Sequence, residues 1–129
     1  MSLPPYLLYV GDFIAILLFA ILGRRSHGLP TDAAAFAETF QTAAPYLIGW
    51  FLVSPWLGAF RPLARQDILS TLRVIGLAFL PAFVVGSIVR ALFVGHVSPW
   101  TFYVVTFVVL LALLLGWRVL YTFAFGQRF

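Results

Sequence analysis

The chain has 129 residues, of which 63% are hydrophobic and only 9% are charged, and this excludes an ordinary soluble domain, in which about 25% of residues are charged. The length leaves room for one domain, residues 1–129. The net charge of +4 comes from eight arginines, no lysine and four acids, and because the arginines flank apolar stretches, membrane topology explains them and a nucleic-acid surface does not.

The first apolar run, residues 6–23, predicts a transmembrane helix. A signal peptide is the alternative, but no basic segment precedes the run and no small-residue cleavage site follows it. Asp12 also interrupts the apolar stretch, which fits a signal peptide badly. We therefore predict a helix that is retained in the mature protein.

A short helix at the membrane surface is predicted over residues 32–42. Thr31 and Asp32 can cap its start. Phe36 and Phe40 are four residues apart and share one face of the helix. An apolar face on an otherwise polar segment is typical of an interfacial helix that lies on the membrane.

The second apolar run, residues 44–60, predicts a transmembrane helix close to the lower length limit for crossing a bilayer. Pro45 suits the first turn of this helix, where an amide N–H would have no partner in any case. Pro55 follows Ser54 in the middle of the run and predicts a kink, because proline removes a backbone donor and clashes with the preceding turn.

Residues 71–94 and residues 100–125 predict the third and fourth transmembrane helices. Within the third, four residues recur at a spacing of four: Ala78, Ala82, Gly86 and Arg90. Small side chains at this spacing let another helix approach closely, and this face ends on the charge of Arg90. No run has the alternating pattern of a membrane strand. The predicted fold is an all-α integral membrane protein, a four-transmembrane-helix bundle with a short interfacial helix between its first and second helices.

Charged residues inside apolar runs are costly in a membrane and are therefore candidate functional residues. Both termini are predicted on one side, here called side A, and the opposite side is side B. Asp12 lies about 9 Å and Arg118 about 10 Å inside side A, at a helical rise of about 1.5 Å per residue. Matching depths predict an ion pair, with Arg73 as a second candidate partner. A structural pair is favoured, and a proton or cation site at Asp12 is the alternative.

A second candidate site is predicted on side B, where Arg24, Arg25, His27, Arg90 and His96 are expected to lie. Arg90 is close to its helix end and can extend outward to the membrane surface. Together these residues could bind an anionic headgroup or a carboxylate, and an ordinary basic membrane edge is the alternative. The two histidines could in principle ligate a haem or chlorophyll metal, but both are predicted in loops, so no metal site and no cofactor is predicted.

The chain lacks the patterns of common catalytic sites. It has no cysteine, which excludes disulfides, thiol catalysis and thiolate metal sites. The histidines are predicted far from Asp12, which leaves no nucleophile–base–acid set. There is no Gly-rich phosphate loop and no run of acids for a divalent metal. We therefore expect that the protein is not an enzyme.

The distribution of arginines favours a cytoplasmic location for side A and for both termini, in a bacterial inner membrane. The pair Arg24-Arg25 on side B favours the opposite orientation. Side A carries the larger predicted set: Arg61, Arg65, Arg73 and Arg128.

Short motifs are spread over nearly the whole chain. They are Gly11-Asp12, Gly23-Arg24-Arg25-Ser26-His27-Gly28, Ala44-Pro45 with Trp50, Arg73, Arg90, and Gly116-Trp117-Arg118. In combination they resemble an uncharacterised bacterial membrane-protein family, catalogued as domain of unknown function 3054. The resemblance implies a small bacterial multi-helix membrane protein and supports the four-helix prediction. It implies no activity, but it places these charged residues in one recurring pattern.

The architecture also resembles that of small multidrug-resistance transporters, which are four-helix chains with one acid in the first helix. Asp12 has a comparable position. Those transporters leave their acid unpaired for proton exchange, whereas the arginines of this chain offer it partners, and the likeness is one of architecture alone.

The leading functional hypothesis is an accessory or structural subunit of a larger bacterial membrane complex. The chain has little mass outside the predicted helices, and its aromatic content of 18% and small-residue faces suit helix–helix contacts. The expected partners are the lipid bilayer and other membrane subunits or a second copy, with no nucleic acid. The alternative is a dimeric proton- or ion-coupled small-solute transporter that uses Asp12, and a third option is a pigment-, quinone- or lipid-binding helper in an energy-transducing membrane.

Overall fold

The computed structural model describes residues 6–26, 28–29 and 32–125, and within these ranges it contains helices and no strand. This confirms the all-α prediction. Four α-helices are joined by connections that include three short 3₁₀ segments. The α-helices are α1 (Tyr6–Ser26), α2 (Phe36–Val53), α3 (Ile68–Val94) and α4 (Trp100–Phe125), and the 3₁₀ segments are Ala33–Ala35, Ser54–Leu57 and Pro62–Arg65.

The helix ends follow from local side-chain and backbone chemistry. Asp32 caps the 3₁₀ turn that leads into α2, since its carboxylate accepts the Ala35 amide at 3.1 Å. Asp67 caps α3 in the same way, and its carboxylate accepts the Ser70 amide at 2.7 Å. Gly95 ends α3 with a φ of 89°, a left-handed conformation that glycine adopts without steric cost.

Helix α2 differs from the prediction at both ends. A separate interfacial helix over residues 32–42 is not confirmed, because residues 36–42 form the first turns of α2, which runs through Pro45 without a break. Buried positions continue at helical spacing along one face, from Thr39 through Ala43 to Trp50, so one packed stripe holds the whole helix together. The predicted second run, 44–60, also ends early: α2 stops before the Ser54–Leu57 3₁₀ turn that contains Pro55, so the proline ends the helix rather than kinking it.

Each α-helix packs against two others in the described part of the chain. Helix α1 contacts α2 and α4, and α3 contacts the same two helices, so α1 and α3 occupy diagonal positions. Helices α2 and α3 approach each other closely. A Cβ on Gly49 would lie 2.6 Å from the carbonyl oxygen of Ala82 and 2.6 Å from the amide nitrogen of Gly86, so the two backbones touch. The predicted small-residue face is confirmed, since Ala78, Ala82 and Gly86 are all buried.

Three helices are long and apolar enough to cross a membrane: α1, α3 and α4. Their outer faces carry large apolar side chains: Leu77 of α3 is 62% exposed and Val105 of α4 is 60% exposed. The interior between the helices is also apolar and rich in aromatic rings, among them those of Phe79, Phe83 and Phe107. The chain therefore has the helices of a membrane protein.

Candidate functional site

The predicted ion pair between Asp12 and Arg118 is present. The Nη2 of Arg118 lies 2.6 Å from Oδ2 of Asp12, and its Nε donates to Oδ1 at 2.8 Å, so the contact is bidentate. Both residues are buried, with 0% of Asp12 and 1% of Arg118 exposed. Two parallel charge-assisted hydrogen bonds are the strongest form of such a pair and fix its orientation as well as its charge balance.

Two further groups complete the pairing, and sequence reasoning did not find their roles. Trp50, in the last turn of α2, donates its indole N–H to Oδ2 of Asp12 at 2.8 Å. The Nη1 of Arg118 donates to the backbone carbonyl of Ala59 at 2.6 Å. We call Asp12, Trp50, Ala59 and Arg118 the Asp12 node. It joins α1, α2, α4 and the connection between α2 and α3 at side A.

Aromatic rings shield the Asp12 node. The guanidinium of Arg118 lies 4.8 Å from the centre of the Phe60 ring, a cation–π distance. The ring of Tyr9 stacks on Phe60 in parallel with its centre 3.9 Å away. The connection after α2 is therefore held in place from two sides, by the Ala59 carbonyl below Arg118 and by the Phe60 ring between Arg118 and α1.

The register between α1 and α4 explains two of the sequence motifs. Gly11 precedes Asp12 and Trp117 precedes Arg118, and the indole of Trp117 occupies the space that a Cβ on Gly11 would need. Consecutive residues of α1 thus meet consecutive residues of α4. Since only glycine leaves room for the indole, the Gly-Asp and Trp-Arg pairs act together as one docking surface.

A second polar link lies on the same side of the molecule. The hydroxyl of Thr71 in α3 donates a hydrogen bond to the carbonyl of Ala64 at 2.8 Å. It also forms a hydrogen bond of 2.6 Å with the hydroxyl of Thr122 in α4. Both threonines are buried. This link ties α3, α4 and the connection after α2 together, as the Asp12 node does for the other helices.

The structure does not join Arg73 to this site. Arg73 is exposed on α3, which lies diagonal to α1, and the side-chain hydrogen bonds of Asp12 come from Trp50 and Arg118. Arg73 instead lies near Asp67, whose pKa is held below its usual value by hydrogen bonds from Ser70, first from its backbone amide, with a smaller contribution from Arg73. The structure therefore does not bring Arg73 to Asp12.

The predicted side-B group is divided between separate parts of the structure. Arg24 and Arg25 lie in the last turn of α1, and Arg90 lies on α3, the diagonal helix. His96 is exposed in the connection between α3 and α4, with its Nδ1 3.3 Å from the Val97 carbonyl. His27 lies outside the described residues. The five residues are thus not brought together as one site in the part of the chain that the structure describes.

Arg90 nevertheless has a specific environment of its own. Its guanidinium carbon lies 3.9 Å above the centre of the Phe102 ring, in the first turn of α4. Its Nε is shielded from solvent and has no hydrogen-bond partner among the described residues. On the same helix, Ser87 lies 3.1 Å from the hydroxyl of Tyr46 in α2. We call Tyr46, Ser87, Arg90 and Phe102 the Arg90 cluster. Ser87, three residues before Arg90 on one helical face, is the signal in the sequence that could have pointed to it.

The described residues include no group of three or more His, Cys, Asp or Glu side chains placed to hold a metal ion. One cavity between the helices has a volume of about 10 Å³, enough for about one water molecule. Its lining is mostly apolar and includes Ile16, Phe79, Leu110 and Leu114. A cavity of this size and lining does not hold a pigment or a quinone.

The comparisons with known proteins give a family and no further relative. A model of the family described as "Protein of unknown function (DUF3054)" matches residues 9–121. No curated protein and no solved structure matches the chain. The match includes every member of the Asp12 node and of the Arg90 cluster.

Proposed function

The chain belongs to the family DUF3054, and on that premise we propose that it is a structural accessory subunit of a larger assembly in the bacterial inner membrane. In this role it binds lipid and neighbouring subunits through its outer helix faces and catalyses no reaction. The observation that carries the proposal is the environment of Asp12 in α1, whose carboxylate is fully buried and accepts three hydrogen bonds.

A carrier that exchanges protons at Asp12 would have to break these contacts in every cycle. Protonating the carboxylate would leave Arg118 as a charge without a counter-charge in a buried position, and removing one partner of a buried pair costs about 3–5 kcal/mol. The indole N–H of Trp50 would lose its charged acceptor in the same step. Such a site favours a fixed architecture over alternating access, and this supports the subunit over the dimeric transporter.

We further propose that α2 is a fourth crossing helix, which gives a four-helix bundle with both termini on one side. Its 18 residues span about 27 Å at the α-helical rise, close to the hydrocarbon thickness of about 30 Å. The 3₁₀ turns at both of its ends add length. Exposed Arg61 and Arg73 near side A favour a cytoplasmic location for that side.

The outer surface supports a role in assembly. Most of the described residues lie in the four α-helices, so we expect most contacts with other molecules to come from the helices themselves. Large apolar side chains such as Leu80, Val84 and Ile88 face outward along α3. In a membrane these side chains contact lipid or the helices of neighbouring subunits. Helices can associate there through van der Waals packing alone, without charged residues.

The direct test is native electrophoresis of the protein from its own membrane in mild detergent, followed by mass spectrometry of the band. We expect migration as one large assembly with defined partner proteins. Migration as an isolated dimer would contradict the subunit and favour the transporter. A co-migrating absorbing cofactor, or quinone in the extract, would favour the pigment- or quinone-binding helper instead.

Two matched variants separate the proposals. Asp12→Asn removes the charge inside the helix, and Glu38→Gln removes an exposed charge near the start of α2. If Asp12→Asn leaves the assembly intact but abolishes solute uptake or proton-linked resistance while Glu38→Gln does not, the subunit proposal fails. We expect instead that any loss of function in Asp12→Asn follows a loss of assembled protein.

The topology is tested by cysteine labelling, since the chain has no cysteine of its own. Ala34→Cys and Gln66→Cys place single thiols at exposed positions on either side of α2. If α2 crosses the membrane, a membrane-impermeant thiol reagent labels one variant in right-side-out vesicles and the other in inverted vesicles. Labelling of both variants from the same side would mean that α2 does not cross.

A further inference from the structure

We propose that the Arg90 cluster binds the phosphate group of an anionic ligand at side B. Arg90 lies four residues before the end of α3, about 6 Å along the helix axis from that end. Its side chain is therefore within reach of the level at which lipid phosphates lie. The proposal concerns binding at the end of the molecule away from the Asp12 node and stands independently of the subunit role.

The first argument is that Arg90 has unused hydrogen-bonding capacity. Its Nε is shielded from solvent without a partner among the described residues, whereas Arg118 uses all three of its nitrogens. A buried donor without a partner is destabilising, because it has lost its hydrogen bonds to water and gained none within the protein. A phosphate oxygen that accepts from Nε and from the adjacent Nη would satisfy it in the bidentate geometry that arginine favours.

The second argument is electrostatic. No carboxylate lies within ion-pair distance of Arg90 in the described ranges, where the ion pair found is that of Asp12 with Arg118. Asp32, an acid near the same side, is engaged in capping the turn before α2. The Phe102 ring below the guanidinium belongs to the first turn of α4, and the positive end of that helix adds to the charge of Arg90. The surroundings favour an anion.

The third argument is that the side chains around Arg90 are prepared for a polar ligand. The Phe102 ring holds one face of the guanidinium at 3.9 Å, so the planar group is fixed in orientation. The Tyr46 hydroxyl and Ser87 Oγ lie 3.1 Å apart at the same end of the helices. Each hydroxyl has one proton and two acceptor positions, so one of the two protons remains free to donate to a phosphate oxygen.

The test is native mass spectrometry of the full chain in detergent, titrated with dioleoylphosphatidylglycerol. Dioleoylglycerol, which has the same acyl chains and no phosphate, serves as the control ligand. We expect one phosphatidylglycerol to be retained per chain and dioleoylglycerol not to be retained. In R90Q we expect the affinity to fall by at least about tenfold, the loss of one charge-assisted contact.

Arg25→Gln is the matched control variant, because Arg25 is an exposed arginine near the same side of the membrane. We expect it to bind within about twofold of the unaltered chain. Tyr46→Phe removes a single oxygen and provides a milder second variant, expected to weaken binding less than R90Q does. Circular dichroism and a single symmetric gel-filtration peak show that each variant is folded.

Inorganic phosphate distinguishes the two sources of the same chemical group. If millimolar inorganic phosphate displaces phosphatidylglycerol from the unaltered chain, the site takes a free phosphate; if it does not, the site takes the phosphate of a lipid. Three results would overturn the proposal: equal retention of dioleoylglycerol, equal weakening in R90Q and R25Q, or no retention of either phosphate probe by the unaltered chain.

Discussion

The Asp12 node at side A and the Arg90 cluster at side B each contain one arginine within an apolar helix, but the two guanidinium groups differ in burial and in their hydrogen-bond partners. Arg118 is buried and paired to a carboxylate, a carbonyl and an aromatic ring. Arg90 is partly buried and meets an aromatic ring, with a shielded Nε that has no partner among the described residues. The first charge is balanced within the chain, and the second is left to be balanced by another molecule.

This difference gives a physical criterion for sorting charges in membrane proteins. A charge in a low-dielectric region needs a counter-charge and full hydrogen bonding. When both lie within the chain, the charge strengthens the architecture. When they do not, the charge marks a place where a ligand can supply them.

The largest effect is expected from breaking the Asp12 node. Arg118→Leu leaves the carboxylate of Asp12 buried without its counter-charge, and we expect the free energy of unfolding to fall by about 3–5 kcal/mol. The double variant Asp12→Asn/Arg118→Leu removes both charges and should recover a large part of this loss. The measurement is unfolding in mixed detergent micelles by titration with sodium dodecyl sulfate, followed by tryptophan fluorescence.

Arg90→Leu is the matched comparison for this experiment, because it removes an arginine that has no carboxylate partner in the described ranges. We expect it to change the unfolding free energy by much less than Arg118→Leu does. Equal losses in the two single variants, or strictly additive losses in the double variant, would show that the Asp12–Arg118 contact has no special role in stability.

An intermediate effect is expected at the α2–α3 contact, where Tyr46 and Ser87 of the Arg90 cluster meet. A Cβ on Gly86 would lie 2.6 Å from Cδ1 of Tyr46 and 3.3 Å from the carbonyl oxygen of Pro45. Gly86→Ala therefore forces the tyrosine ring or the helix to move, and we expect a loss of about 1–3 kcal/mol. It should also weaken phosphate binding at Arg90 while the Asp12 node remains intact.

Gly76→Ala on the same helix is the control, since nothing lies within 4 Å of a Cβ at Gly76. Replacing glycine with alanine in an open helix position is expected to stabilise by about 0.5–1 kcal/mol. The same detergent titration measures both variants. A gain in Gly86→Ala equal to that in Gly76→Ala would mean that the close contact between Gly86 and Tyr46 imposes no steric cost.

The sequence alone was sufficient to predict the parts of the structure that depend on helical periodicity. Asp12 and Arg118 fall at the same depth when counted from their helix ends, and the structure pairs them. Ala78, Ala82 and Gly86 share a face by their spacing, and that face is buried. Both inferences use the regular rise and turn of an α-helix, which a sequence specifies without knowledge of which helices are neighbours.

The parts that sequence reasoning missed depend on which helices are neighbours and on how the connections fold back. Arg73 has a suitable depth for Asp12 but lies on the diagonal helix. The Ala59 carbonyl reaches Arg118 because the chain after α2 turns back over side A. Every residue has a backbone carbonyl, so the sequence does not indicate which one accepts this hydrogen bond. The predicted interfacial helix merged with α2 because buried contacts outweigh the effect of Pro45 within the helix.

The smallest effect is expected at Asp67, an exposed acid that contrasts with the buried Asp12. Asp67 lies in the connection before α3, and its pKa is lowered because the Ser70 amide donates a hydrogen bond to its carboxylate. A lowered pKa means that the ionised form stabilises the folded state. This contribution is present at neutral pH and is lost as the pH falls through the pKa of the folded state. Because the group is exposed, solvent screens it and the change is small.

Asp67→Asn isolates the charge, since asparagine caps helices about as well as aspartate does. We expect the unaltered chain to have the higher midpoint of thermal unfolding at pH 7 and the difference to shrink towards zero as the pH is lowered towards 3. The midpoints of both chains, measured by tryptophan fluorescence across this range, test the expectation. A difference that stays constant with pH would mean that the cap acts through its hydrogen bond alone. The charge of Asp67, unlike the buried charge of Asp12, would then make no contribution to stability.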